Sequence, residues 1–339
     1  MKIAINGFGR IGRLTLRAIL ERQPDVEVVA INDLADPATN AHLFKYDSNY
    51  GPFNGSLNLD GDSMVVDGKP IRIFSEREWS NLDWGDLDVD VVIESTGVGG
   101  KREFAAKHLE AGAIKVVISA PSSDADVMIV LGVNHDQYDP DQHHVISNAS
   151  CTTNGLAPPV KVVHDEFGIV KGQMTTVHSY TNAQNLLDLD AKDLRDARAA
   201  GSNIVPAATG AARAIGVVIP ELNGRLDGAS YRVPTATVSI VEFVVLLSRA
   251  ATPDEINDSL RRAADGPMKG ILNVSDEPLV SMDLKGNEHS SIVDSASTMV
   301  VDGNLAKVAA WYDNEWGYSC RLADISSFVH EQITSPATA

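Results

Sequence analysis

One short stretch of the chain holds the residues best suited to covalent chemistry. Cys151 lies in the run Ser147–Asn154 (SNASCTTN), which follows a strand-like segment, residues 144–146, and precedes a predicted helix, residues 156–167. On the first turn of that helix, hydroxyls and backbone N–H groups would surround the thiol. A helix N-terminus lowers the pKa of a thiol and binds anions, and aldehyde or acyl chemistry needs both effects. Taken alone, the stretch fits a small buried cysteine without a catalytic role equally well.

A reactive thiol needs a base or a cation nearby, and His178 is the candidate among nine histidines. We predict it in the middle of a strand, residues 173–181, where the neighbouring hydroxyls suggest the rim of a phosphate site. A histidine in such a position is more often structural than catalytic. His143 and His144 are predicted in the strand before the cysteine, where adjacent side chains point to opposite faces.

Two anion-binding pockets are predicted from hydroxyl, glycine and arginine residues. They comprise Ser150, Thr152, Thr209 and Gly210 in one pocket, and Thr181 and Arg232 in the other. Taken singly, each of these residues is more often a helix cap or a surface arginine. We expect no metal site, because no cluster of His, Cys or Asp has the spacing of metal ligands.

The N-terminus has the pattern of a dinucleotide-binding unit. A strand, residues 2–5, runs into Gly7-x-Gly9-x-x-Gly12, followed by a helix, residues 10–22, and a second strand that ends before Asp33. The glycines permit a tight turn, backbone approach to a pyrophosphate and close helix packing, while Asp33 would accept hydrogen bonds from a ribose. Because the carboxylate would repel a 2′-phosphate, the pattern favours NAD over NADP.

The order of predicted elements indicates an α/β protein with two domains. Strands alternate with helices up to about residue 150, which predicts a doubly wound parallel sheet of the Rossmann type as the NAD-binding domain, residues 1–150. Long strands dominate residues 151–314, which predicts an α+β catalytic domain with a mostly antiparallel sheet. A C-terminal helix, residues 315–334, is expected to join the first domain, and residues 335–339 are expected to be frayed.

The composition restricts the function class and the location. There are 46 acidic and 28 basic residues, a net charge of −18, which disfavours nucleic acid and anionic membranes as partners. We expect no membrane span, because no apolar run is long enough, and no signal peptide. Two cysteines favour a reducing cytoplasm. The acidic surface also suggests adaptation to a high-salt cytoplasm, where screening suppresses self-repulsion.

These residues carry a resemblance that covers nearly the whole chain. The chain resembles the phosphorylating glyceraldehyde-3-phosphate dehydrogenases of bacteria and eukaryotes. The matching motifs are INGFGRIGR (5–13), NDL (32–34), KYDS (45–48), ESTG (94–97), ISAP (118–121), SNASCTTN (147–154), TVHSYT (176–181), ATGAA (208–212), RVPT (232–235) and WYDNEWGYS (311–319).

The resemblance implies an enzyme of glycolysis and gluconeogenesis. Cys151 would attack the aldehyde of glyceraldehyde 3-phosphate, and His178 would activate the thiol and then act as acid and base. Hydride transfer to NAD would leave a thioester, which inorganic phosphate cleaves to 1,3-bisphosphoglycerate. By the same resemblance Thr181 and Arg232 bind the substrate phosphate, and Ser150, Thr152, Thr209 and Gly210 bind the attacking phosphate. The implied cofactor residues are Arg10, Ile11, Asp33, Arg77, Ser119 and Asn314, and the implied assembly is a homotetramer.

Three alternatives stay open at the level of sequence. Erythrose-4-phosphate dehydrogenase shares the nucleophile and the cofactor fold, and a semialdehyde dehydrogenase has a similar architecture. A non-catalytic NAD-binding interaction protein would share the fold alone. The chain also departs from many relatives, which carry a second cysteine four residues after the nucleophile, where this chain has Gly155. That change removes an easy oxidative disulfide and leaves the chemistry untouched.

Overall fold

A computed structural model describes residues 1–334; residues 335–339, predicted to be frayed, lie outside the described range. Contacts divide the chain into two compact units. The first comprises Met1–Ile129, Asp136–Ala149 and the segment from Ser319, and the second comprises Val130–His135 and Ser150–Tyr318. The predicted domain boundaries at residues 150 and 314 stay a prediction.

The first unit is built around a nine-stranded sheet. The strands of the unit, including two outside this sheet, are β1 (Lys2–Asn6), β2 (Glu27–Asn32), β3 (Tyr46–Asp47), β4 (Gly51–Pro52), β5 (Leu57–Asp60), β6 (Ser63–Val66), β7 (Lys69–Phe74), β8 (Val91–Glu94), β9 (Lys115–Ile118), β10 (Val127–Met128) and β11 (Val145–Ser147). The strand order is β10-β11-β9-β8-β1-β2-β7-β6-β5, parallel except at β6 and β5, while β3 and β4 pair separately. The predicted Rossmann sheet is confirmed.

Helices of the first unit follow the strands that the sequence alternation predicted. They are α1 (Arg10–Arg22), α2 (Pro37–Lys45), α3 (Arg102–Ala105) and α4 (Lys107–Glu110). Asp36 caps α2 by accepting a hydrogen bond from the Thr39 N–H at 2.9 Å, and Pro37 occupies its first position. The sequences of the central strands are continuous apolar runs, because helices and loops cover both faces of a parallel sheet. Ile3, Ile5 and Val92 accordingly have no exposed surface.

The second unit contains an eight-stranded, mostly antiparallel sheet, as predicted. Its helices are α5 (Cys151–Phe167), α6 (Ala211–Val218) and α7 (Pro253–Asp265), and its strands are β12 (Ile169–Ser179), β13 (Val205–Ala207), β14 (Leu226–Val233), β15 (Ser239–Leu247), β16 (Leu272–Ser275), β17 (Ser291–Asp294), β18 (Met299–Val301) and β19 (Leu305–Tyr312). The main order is β13-β14-β12-β15-β19-β17-β16, and β18 pairs with β19. Only the pairs β12–β14 and β16–β17 are parallel.

Helix α5 lies at the centre of the second unit. Leu156, Val160 and Val163 are fully buried on it, and the helix packs against α6, α7, β15 and β19. Residues 152–160 are all buried, so the first half of the helix is enclosed on every side, and its first residue is Cys151. The predicted helix began at residue 156, five residues later than the observed start.

The last helix, α8 (Trp316–Thr334), contributes its first residues to the second unit and the remainder to the first. Among residues 1–334, no helix combines the length and the apolar character needed to cross a membrane.

Candidate active site

Cys151 is the first residue of α5, so the predicted position on the first helical turn is confirmed. Ser150 caps the helix: its Oγ accepts a hydrogen bond from the Thr153 N–H at 2.9 Å. Before the cap, Ala149 adopts a left-handed conformation with φ of +55°, which strains a residue with a Cβ. The cap places the thiol on the first turn of the helix.

His178 lies beside the thiol, with its Nε2 atom 3.5 Å from Cys151 Sγ. The structure places it at the penultimate residue of β12, rather than in the middle of a strand as predicted, because pairing ends at Ser179. The strand prediction for His143 and His144 is wrong, since β11 begins only at Val145. Sequence spacing could not show that His178 reaches the cysteine.

The contacts of His178 Nδ1 bear on which ring nitrogen carries the proton. Nδ1 lies 2.7 Å from the carbonyl oxygen of Ser179 and also contacts Nη1 of Arg232. The carbonyl requires a proton on Nδ1, whereas the guanidinium requires a lone pair. We assign the proton to Nδ1, because Arg232 Nη1 also reaches the same carbonyl at 3.4 Å and can donate there. The lone pair on Nε2 then faces Sγ.

Burial holds both members of this pair in their neutral forms. Burial, supported by the Arg232 cation, lowers the pKa of His178 from 6.5 to about 3. Burial also raises the pKa of the Cys151 thiol, although Arg232 and hydrogen bonds at Thr152 oppose the shift. The sequence predicted that the helix terminus would lower the pKa of this thiol, but desolvation outweighs it. The lowered pKa makes His178 a weak base in the free enzyme, so transfer of the thiol proton to Nε2 must accompany attack of the sulfur on a substrate.

Tyr312 is a site residue that the sequence analysis did not single out. Its hydroxyl lies 2.9 Å from Thr152 Oγ1 and 2.8 Å from Thr176 Oγ1, and its ring meets the His178 ring edge-on at 5.9 Å. Burial raises the pKa of this phenol above its ordinary value. Its hydroxyl therefore links α5, which carries Cys151, to β12, which carries His178. The strand pattern of β19 could have indicated that Tyr312 is buried. Its partners could not be inferred from the sequence, because they lie on the distant elements α5 and β12.

Of the residues predicted to bind anions, Arg232 contacts His178, and the others discussed below make separate interactions. Arg232 on β14 is the register partner of His178 on the neighbouring parallel strand β12, which explains their contact. The hydroxyl of Thr152 is engaged by Tyr312. Thr181 and Thr209 make local bonds, accepting from the N–H groups of Ala183 and Ala211 at 3.4 and 3.2 Å. Gly210 is the N-cap residue of α6, a helix that packs on α5.

The glycine turn after β1 has the shape that a pyrophosphate requires. Gly7 has φ of +90°, and a Cβ on Gly12 would lie 2.1 Å from the Gly7 carbonyl oxygen, whereas space around Gly9 is open. Asp33 Oδ2 accepts a hydrogen bond from the Phe8 N–H at 2.7 Å, which fixes the carboxylate against the turn. These residues fit an adenine dinucleotide.

The other predicted cofactor residues lie around the same sheet edge or in the second unit. Asp33, Arg77 and Ser119 follow the carboxyl ends of β2, β7 and β9. Arg10 and Ile11 are the first two residues of α1, and the Arg10 side chain pairs with Asp47. Asn314 belongs to the second unit, and its Oδ1 accepts hydrogen bonds from Ser179 Oγ and Ser239 Oγ, both at 2.9 Å. No group of three His, Cys, Asp or Glu in residues 1–334 is arranged to hold a metal ion.

Comparisons with known proteins identify the family. The family model described as glyceraldehyde 3-phosphate dehydrogenase, NAD binding domain, matches residues 1–102, and the C-terminal domain model of the same family matches residues 150–314. The chain is 56% identical to glyceraldehyde-3-phosphate dehydrogenase of Geobacillus stearothermophilus over 97% of this chain and 98% of the relative. It is 54% identical to glyceraldehyde-3-phosphate dehydrogenase 1 of Bacillus subtilis (strain 168) with the same coverage.

A more distant genus gives the same result: the Streptomyces coelicolor enzyme of that name is 53% identical over 98% of this chain and 99% of the relative. The prediction that NAD is the cofactor is confirmed, since the first unit carries the NAD-binding domain of this family. None of these relatives supports the erythrose-4-phosphate alternative. The chain belongs to the glyceraldehyde-3-phosphate dehydrogenase family.

Proposed function

We propose that this chain catalyses the NAD-dependent, phosphorylating oxidation of D-glyceraldehyde 3-phosphate to 1,3-bisphosphoglycerate, a step of glycolysis and gluconeogenesis. The observation that carries the proposal is the Cys151–His178 pair, with Sγ and Nε2 3.5 Å apart at the start of α5, in a chain of this family. Inorganic phosphate is the second substrate.

The first step is addition of the thiol to the aldehyde. His178 Nε2 takes the proton from Sγ as the sulfur attacks the carbonyl carbon, so the pair need not separate charge in the free enzyme. The first-turn N–H groups of α5 stabilise the developing oxyanion, and the proton returns to that oxygen to give a thiohemiacetal on Cys151.

The second step oxidises this thiohemiacetal to a thioester, and the third transfers the acyl group to phosphate. NAD⁺, when bound, accepts the hydride. His178 takes the hydroxyl proton as the carbon–oxygen double bond forms, which leaves a thioester on Cys151. An oxygen of inorganic phosphate then attacks the thioester carbon, the carbon–sulfur bond breaks, and His178 returns its proton to the departing sulfur.

Two anion sites follow from this chemistry. We assign the substrate phosphate to Arg232 and Thr181; Arg232 already lies against His178, so a phosphate held there would bring its aldehyde to the pair. The attacking phosphate is assigned to Ser150, Thr152, Thr209 and Gly210. Both sets include a helix N-terminus or a guanidinium, the groups that bind phosphate most readily. Because Tyr312 engages the Thr152 hydroxyl, the backbone N–H of Thr152 is its proposed contribution.

The cofactor assignments are also proposals. Arg10 and Ile11 would donate their backbone N–H groups to the pyrophosphate, and Asp33 would accept from the adenosine ribose. Arg77 and Ser119 are assigned from their place at the carboxyl ends of strands. Ser179 and Ser239 both donate to Oδ1 of Asn314. The amide N–H₂ of Asn314 is therefore proposed to donate to the nicotinamide carboxamide.

We further propose a cytoplasmic homotetramer. The loop of residues 182–203 exposes Leu186, Leu187 and Leu194 by 84, 75 and 82%, and such exposed apolar side chains support contact with a second copy. Light scattering with size exclusion tests the assembly, and monomers at micromolar concentration would contradict it. Neither cysteine forms a disulfide, which agrees with a reducing compartment.

Formation of NADH from NAD⁺, triose phosphate and inorganic phosphate tests the proposed reaction. Turnover should require all three, and Arg232→Ala should raise KM for the triose phosphate by about 30-fold or more, because a charge-assisted pair is lost. A higher kcat/KM on erythrose 4-phosphate would replace the proposed substrate, and absence of turnover with NAD bound would indicate the non-catalytic alternative.

A further inference from the structure

A row of buried polar side chains crosses three strand ends in the first unit. Asn32, Asn6 and Glu94 end β2, β1 and β8 and are register partners, with exposures of 3, 0 and 2%. Asn32 Nδ2 donates to Asn6 Oδ1 at 2.7 Å, and Asn6 Nδ2 donates to Glu94 Oε2. The chain leaves β1 for β2 on one side and returns as β8 on the other. The row therefore lies where the strand order reverses, the point at which open α/β sheets bind ligands.

Two further side chains fix the protonation of this row. The indole N–H of Trp84 donates to His108 Nδ1 at 3.0 Å, and an indole can only donate. Nδ1 must therefore carry the lone pair, and the proton of the neutral imidazole sits on Nε2, 3.3 Å from Glu94 Oε2. Trp84 and His108 have no exposed surface, so water cannot substitute for these bonds.

The other oxygen of Glu94 holds the turn that follows β8. Glu94 Oε1 accepts from the Thr96 N–H at 2.9 Å and from the Thr96 hydroxyl. Ser95 Oγ donates to the Gly7 carbonyl at 2.7 Å, and a Cβ on Gly7 would lie 2.5 Å from Thr96 N. The carboxylate thus sets the turn against which the glycine turn after β1 is packed.

We propose that Glu94, with Asn6 and His108, is a positioning group for NAD. All four groups that reach its oxygens are donors, so a carboxylate satisfies them and an amide cannot. The network holds residues 95–97 against Gly7, and through that contact it sets the shape of the pyrophosphate turn. No earlier step of the mechanism uses these residues, and none of them touches the reacting atoms.

Glu94→Gln tests the proposal because it changes one acceptor into a donor at constant size. In one amide orientation the new N–H₂ faces Asn6 Nδ2 and His108 Nε2–H, and in the other it faces the Thr96 N–H. We expect the Kd for NAD⁺, measured by calorimetry, to rise about tenfold or more. NADH should lose the same factor, since the turns hold parts common to both forms, and kcat at saturating NAD⁺ should stay within about threefold.

A double variant, Asn6→Asp with Glu94→Gln, should restore binding to within about threefold of the parent. In this variant the amide at position 94 donates to the carboxylate at position 6. One oxygen of that carboxylate replaces Asn6 Nδ2, which lies 3.2 Å from His108 Nε2, and it accepts the Nε2 proton of His108. The amide oxygen accepts from Thr96. Such a rescue would not follow from a general loss of core stability.

Glu110→Gln is the matched control, because Glu110 is exposed at the end of α4 and loses the same charge. It should bind NAD⁺ as the parent does, and alkylation of Cys151 by iodoacetamide should proceed equally in all variants. If Glu94→Gln does not fold, Thr96→Val removes one donor from the same carboxylate and should weaken NAD⁺ severalfold. A parental Kd in the folded variant, unequal loss of NAD⁺ and NADH, or a double variant no better than the single one would overturn the proposal.

Discussion

Because His178 is neutral in the folded protein, we predict how the free energy of unfolding changes with pH. Burial and Arg232 lower the pKa of the folded ring from 6.5 to about 3. The unfolded chain therefore binds a proton at a higher pH than the folded chain does. The stability contributed by the neutral ring is present above about pH 6.5 and is lost as the pH falls toward 3.

The size of the effect follows from the width of this window. Between pH 7 and pH 5 the chain passes through about 1.5 pH units below the unfolded pKa, which corresponds to about 2 kcal/mol. The side chain is buried, with 5% of its surface exposed, so solvent screening removes little of it. In His178→Asn, which cannot titrate here, the fall in unfolding free energy from pH 7 to pH 5 should be about 2 kcal/mol smaller.

Urea unfolding of both proteins at the two pH values measures this difference. One protomer concentration must be used throughout, so that subunit association contributes equally to each midpoint. His42→Asn, at an exposed position on α2, controls for the loss of a histidine. Equal falls in the parent and in His178→Asn would refute the neutral-ring assignment.

Three further predictions concern packing, cofactor choice and the acidic surface. Tyr312→Phe leaves the buried Thr152 hydroxyl without its 2.9 Å partner, so the free energy of unfolding should fall by about 1–3 kcal/mol, and a change within error in urea unfolding would contradict this. Asp33→Ser should lower the NAD over NADP ratio of kcat/KM about tenfold or more, because the carboxylate no longer repels a 2′-phosphate; an unchanged ratio would show that discrimination lies elsewhere. With a net charge of −18, the thermal midpoint should rise in molar KCl, and greater stability at low salt would end the high-salt hypothesis.

Features set by neighbouring residues could be predicted from the sequence. The first strand, its glycine turn, α1 and the position of Asp33 follow from local periodicity and from the conformations that glycine alone adopts easily. Boundaries were less accurate: the helix predicted over residues 156–167 begins at Cys151, and the strand predicted over residues 173–181 is Ile169–Ser179.

Features set by register between distant strands could not be predicted. The Arg232–His178 contact depends on β14 pairing with β12 so that these two residues lie side by side. The neutral thiol depends on the depth of burial around α5. Tyr312 likewise joins three elements through one hydroxyl. Sequence reasoning named Cys151, His178 and Arg232 as candidates, but only the fold shows how they meet.

Mass spectrometry of the acyl-enzyme tests the central claim most directly. With NAD⁺ and glyceraldehyde 3-phosphate but no inorganic phosphate, the peptide that contains Cys151 should gain the mass of one phosphoglyceroyl group, and added phosphate should remove it. Cys151→Ser should show neither the adduct nor NADH formation. An adduct on another residue, or sustained turnover by Cys151→Ser, would contradict the account.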